Sequence, residues 1–183
     1  MMQAVPHNEK LRQMSSRDNG TGQQQADSRS STSYSEAEEI LEQIRQGDLL
    51  IVDSRRRNGL ILYKAYHAEF AGPGAAVGGG FDLDCQWLLP VGDLLLLSST
   101  SHEDRQKAYL IRRQWIRLTH QFTDNAASLK RAQMILNQFE TYFDRATIAR
   151  IPDEAFAMMV GVLPHTVRLA RRPPQKLNVK VKI

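Results

Sequence analysis

Ala108, Ile111, Trp115, Leu118 and Phe122 recur at steps of 3, 4, 3 and 4, and Leu129, Ala132, Leu136, Phe139 and Phe143 repeat that spacing. Each series falls on one face of an α-helix, because a turn takes 3.6 residues. Two such faces in succession need apolar cover, from each other or from a second subunit. The carboxy-terminal half is therefore expected to be helical. Arg105, Lys107, Arg112, Arg113 and Arg117 lie largely off the first face, and Thr123–Asp124–Asn125 breaks the two helices apart. The stripe Ala108–Phe122 is the first choice for a homodimer seam, through helix 105–122.

The amino-terminal half has other periods. Residues 1–32 are mostly Gln, Ser, Asn, Gly, Thr and charge, too poor in apolar surface to offset their ordering entropy, and are expected to form a disordered arm. Ser35 and Glu38 have the spacing of a capping box, Ile40, Leu41 and Ile44 form an apolar stripe, and Gly47 supplies a stop. A short helix is expected there. Leu49–Asp53 and Leu60–His67 flank Arg55–Arg56–Arg57–Asn58–Gly59, and Asn-Gly between two apolar runs predicts a β-hairpin with a solvated, arginine-bearing tip. Gly72–Gly80 (GPGAAVGGG) lacks the Lys-Ser/Thr of a phosphate-binding loop and the third glycine of G-x-G-x-x-G, so it is taken as a flexible connection. Cys85–Val91 and Leu94–Ser98 read as two strands joined near Pro90–Gly92. The expected fold class is α+β, with the arm, a small mostly-β unit with one helix over 33–104, and a helical half over 105–183.

Charge divides at the same place. The 183 residues carry a net charge of +4, yet residues 1–104 hold 9 basic and 15 acidic side chains, and residues 105–183 hold 15 and 5. The halves thus carry −6 and +10, so the second is the one suited to a polyanion. The single cysteine, Cys85, excludes an intramolecular disulfide framework and a cysteine-based metal cluster, and points to a reducing, cytoplasmic compartment. His7, His67, His102, His120 and His165 share no metal spacing, and nothing pairs Cys85 with a base or an oxyanion hole. No enzyme activity, metal or cofactor is expected, and no apolar run reaches the ~18 residues of a membrane span.

The segment Ile151–Arg172, IPDEAFAMMVGVLPHTVRLARR, is more specific. Pro152 can open a helix, and Asp153 and Glu154 suit its positive end. Ala157, Gly161 and Val167 supply a small side chain, a residue tolerant of the left-handed turn conformation and a β-branched lock between two helices. Pro164 suits the first turn of the second helix. With these residues in place, 151–172 resembles the helix-turn-helix of bacterial transcription regulators, above all in GVLPHTVRLARR. Leu163 departs from the pattern, standing where a serine or threonine usually caps the second helix.

The resemblance implies double-stranded DNA as the partner, with the second helix in the major groove. Arg168 is then the candidate for a guanine edge, His165 or Thr166 for a base or a phosphate, Leu169 for the same outward face, and Arg171, Arg172 and Lys176 for phosphates. Residues 163–183 hold six basic side chains and no acidic one. Leu177–Ile183 (LNVKVKI) alternates strictly and reads as a carboxy-terminal strand. The alternative function is a protein-interaction module that docks on a larger regulator or the transcription machinery. The amino-terminal half is a further possible surface for a protein partner.

Overall fold

A computed structural model describes residues 36–98 and 101–172. The expected arm 1–32, the Ser35 cap, Lys176 and the strand 177–183 lie outside the described residues. Helix α1 covers residues 36–45. It is followed by β1 (Leu49–Val52), β2 (Asn58–Tyr63), β3 (Ala68–Ala71), β4 (Ala76–Gly78), a 3₁₀ turn (Gly79–Phe81), β5 (Trp87–Gly92) and β6 (Leu96–Ser98). Helices α2 (His102–Thr123), α3 (Ser128–Tyr142), α4 (Arg145–Arg150), α5 (Asp153–Val160) and α6 (Pro164–Ala170) complete the α+β architecture.

The strands form two antiparallel three-stranded sheets, ordered β4-β1-β6 and β3-β2-β5. Strand β2 lies between the cores on its two faces. Leu60 and Leu62 join Leu41 and Ile44 of α1, Val52, Val77 and Leu88 in one cluster. Ile61, with Phe70 and Val91, joins Phe139 of α3, Phe143 just past its end, Phe156 and Val160 of α5 and Val167 of α6 in the other. The period-2 alternation of a strand therefore serves two cores at once. It also means that residue 104 is no boundary: the second sheet and the helices share one core, with the Phe70 ring 5.2 Å from Trp115 and 4.7 Å from Phe139.

That arrangement overturns the Asn-Gly hairpin. β1 and β2 belong to different sheets, and Asn58 and Gly59 sit inside β2, opposite Gly92 and Val91. The fully buried Asn58 donates its side-chain amide to the Asp53 carbonyl at 2.9 Å, fixing the chain between the strands. Gly59 is required by close approach instead of by a turn: a Cβ there would stand 2.4 Å from the Phe70 ring and 2.9 Å from the Ala71 carbonyl. Gly59→Ala is accordingly expected to lower stability by about 1–3 kcal/mol through overpacking, as measured by urea denaturation. The arginines before it are solvent-facing, as expected, with Arg55 bonded to Asp53 and Arg56 to Asp93 at 2.6 Å.

Other boundaries move for related reasons. The run Leu60–His67 ends as a strand at Tyr63, where the Lys64 N–H donates to the His67 carbonyl and turns the chain into β3. The segment Gly72–Gly80 is packed, not a loose connection: Ala75, Ala76 and Val77 are buried, and β4 pairs with β1. β5 and β6 form as expected but in separate sheets. Pro90 is tolerated because β5 is an edge strand, where a missing N–H need cost no ladder bond.

Helix α2 starts at Ser101, whose Oγ accepts the Asp104 N–H. Its stripe is covered by this chain's own residues. Ala108 and Phe122 are buried, and Ile111, Trp115 and Leu118 pack on the two cores, so the stripe is not free to be a dimer seam. On the opposite face of α2, Leu110, Arg113 and Arg117 are exposed. Arg112 also departs from expectation: it is 3% exposed, held by Glu69 of β3 and, at 3.2 Å, by Asp82.

Candidate nucleic-acid interface

Helices α3 to α6 build the candidate site. Asp144 caps α4, its Oδ1 accepting the Thr147 N–H at 2.7 Å, a bond that holds the carboxyl below its ordinary value. After Pro152, α5 runs to Val160 and ends at Gly161, in the left-handed region at φ 62° and ψ 49°. The N–H groups of Gly161 and Val162 both turn back to the Ala157 carbonyl, which closes the helix. From α3, Arg131 donates to the Gly161 carbonyl at 2.9 Å and to the Asn125 carbonyl at 2.8 Å, which fixes the turn to the start of α3.

The chain then enters α6 through Leu163 and Pro164. Leu163 gives no side-chain cap, as its residue type dictates, and is 72% exposed. Ala157, Val160 and Val167 are buried between the two helices, and Phe156 stacks edge-on against Phe139 of α3 at 4.9 Å. The three residue types singled out in the sequence therefore occupy the contact and the turn that their chemistry suits.

The outward face of α6 carries His165, Arg168 and Leu169, with Arg172 exposed just beyond it and Thr166 half-buried. Arg168 is 60% exposed, with a single long bond from its Nε to Asp153 Oδ2 at 3.3 Å. It is free to leave that partner. Arg171 is not. Its Nε donates to Asp153 Oδ1 at 2.7 Å, Nη1 to the Ile148 carbonyl at 3.2 Å and Nη2 to the Ile151 carbonyl at 2.8 Å. Its guanidinium also lies 5.1 Å from the Phe156 ring centre. Expected as a phosphate contact, Arg171 instead clamps α6 to the α4–α5 junction, because the Ile151 carbonyl, the Ile148 carbonyl with a lone pair beyond the one that takes the Ile151 N–H, and one acid meet there.

Arg131, Asp153 and Asp144 also build the site, beyond the residues the helix-turn-helix pattern points to. Asp153 had a signal, its place in the first turn of α5, but that position does not reveal two arginines arriving from α6. Elsewhere, Cys85 is buried, its thiol pushed up to about 11 mainly by that burial and directed to the Trp87 carbonyl, which leaves it a poor nucleophile. Among the described residues, no three His, Cys, Asp or Glu side chains are grouped to hold a metal ion, and no helix is long and apolar enough to cross a membrane. Comparison of the chain with protein-family models, with curated proteins and with solved structures finds no match, so the function is inferred from the geometry of α5, α6 and their supports.

Proposed function

We propose that the chain is a sequence-specific regulator of transcription that binds double-stranded DNA, with α6 lying in the major groove. The observation that supports this best is the helix–Gly161–helix unit, locked by Val167 and presenting His165, Arg168 and Leu169 outward. On this reading Arg168 leaves Asp153 to fork onto a guanine edge, and Leu169 meets a thymine methyl. His165 and Thr166 reach bases or the nearest phosphate, and Arg172 and Lys176 neutralise phosphates. Two copies acting as a bacterial, cytoplasmic homodimer supply the paired half-sites that one seven-residue helix cannot read alone.

Salt-titrated binding to random and selected duplexes tests the reading. The logarithm of the association constant should fall with the logarithm of salt, by about 0.9 for each phosphate neutralised. Arg168→Ala should cost about 1–3 kcal/mol at one base pair and relax selection there, leaving the salt slope nearly unchanged. A flat salt response together with no enrichment from a random duplex pool overturns it. The exposed Leu163 and Leu169 favour the second reading, a protein-docking face, and that result would promote it.

A further inference from the structure

A groove of about 330 Å³ lies between the β2–β3 turn, the second half of α2 and the end of α5. Ala68, Phe70, Ile116, Met158 and Met159 give it apolar walls. This volume is within the range that takes a small organic ligand, and the two thioethers suit an aromatic ring.

The polar groups at its edge share one property. Thr119 Oγ1 donates to the Trp115 carbonyl at 3.1 Å, and Thr123 Oγ1 to the His120 carbonyl at 2.7 Å. Both hydroxyl hydrogens are therefore engaged within α2, and lone pairs are what remains for a ligand. Glu69 is an acceptor, bonded to Arg112 and, at 3.1 Å, to His67 Nε2, with carboxylate lone pairs to spare. Since Glu69 can only accept, His67 gives its Nε2 hydrogen to it, and a neutral His67 keeps Nδ1 as a further acceptor. The side-chain donors left, the Tyr66 hydroxyl and the His120 ring, stand on the solvent edge, with Tyr66 95% exposed.

We propose that this groove binds a small aromatic molecule bearing a hydrogen-bond-donating amino group, its ring on the methionines and its amine toward Glu69 and the two threonines. A carboxylate or phosphate in place of the amine meets lone pairs and a negative charge, and is rejected. The site does not depend on whether α6 reads DNA.

Tryptamine and indole-3-acetate have the same ring and opposite head groups, and so make a matched pair of probes. With the full chain labelled at its methionine methyls, tryptamine should shift the Met158 and Met159 signals, leave Met134 on α3 in place, and bind at least tenfold tighter than indole-3-acetate. Ile116→Trp, which fills the groove from a half-exposed position, should abolish the shifts while the melting curve shows a folded protein. Should Ile116→Trp fail to fold, Thr119→Val serves in its place, with an expected loss of at least threefold in tryptamine affinity. Equal binding of the two probes, shifts that survive the filled groove, or no shift at Met158 and Met159 overturns the proposal.

Discussion

Arg112→Met should destabilise the fold by about 3–5 kcal/mol at neutral pH, the cost of removing one partner from a buried ion pair. Among the described residues, Arg112 is the only cation within bonding distance of the Glu69 carboxylate other than a protonated His67, and it shares Asp82 with Lys64. Asp82 is almost fully buried and also accepts the Gly78 N–H at 2.9 Å, so it cannot turn to water when Arg112 is gone. Methionine keeps much of the volume and none of the charge, which leaves two acids facing an apolar chain. The network ties β3, the loop after β4 and α2 together, and its loss should loosen all three.

The pH dependence separates charge from packing. Burial pushes the Glu69 carboxyl up, but Arg112, His67 and Lys64 outweigh it and hold the group below its ordinary 4.5. A carboxyl lowered in the folded state adds stability above its unfolded value, and that stability is lost as pH falls through the folded value. In Arg112→Met the largest opposing charge is gone, burial dominates, and protonation of Glu69 relieves the folded state instead. The gap between the two proteins in urea denaturation should therefore narrow between pH 7 and pH 4. A gap that stays constant would assign the loss to packing alone.

Arg112 also marks where sequence reasoning stops. The 3-and-4 spacings make α2 and α3 legible, because each helix answers to residues a turn away. The α5–Gly161–α6 unit is legible for the same reason, its small, left-handed and β-branched positions lying within eleven residues. Arg112 looks like its neighbours Arg105 and Arg113 until Glu69 and Asp82, 43 and 30 residues away, are brought to it. Asn58–Gly59 fails likewise. The pair is a turn signal for an isolated hairpin, but with β3 and β5 on either side it becomes the opening of a central strand. The short α4 has too few residues to show a period, although Asp144 three residues before Thr147 has the spacing of a cap. The helices carry their own evidence, and the strand pairings and buried charges do not.

Arg171 yields the second large effect, and it divides a DNA contact from a structural clamp. Arg171→Ala should cost about 2–3 kcal/mol of stability, since it removes charge-assisted bonds to Asp153 and two carbonyls, taking the Arg171 donor from Ile151 and leaving the Ile148 carbonyl only the Ile151 N–H at 3.2 Å. Duplex binding would fall with it, which by itself mimics the loss of a phosphate contact. Arg171→Lys distinguishes the two roles. Lysine keeps the positive charge, and at a phosphate it would restore most of the affinity. It has no planar fork, so a single ammonium cannot reach Asp153, the Ile148 carbonyl and the Ile151 carbonyl together. The expected result is that Arg171→Lys melts nearly as early as Arg171→Ala, and that the folded fraction of each keeps the wild-type salt slope on duplex DNA. Stability fully restored by lysine, with a slope reduced by about one in the alanine variant, would return Arg171 to the DNA-facing set with Arg168 and Arg172.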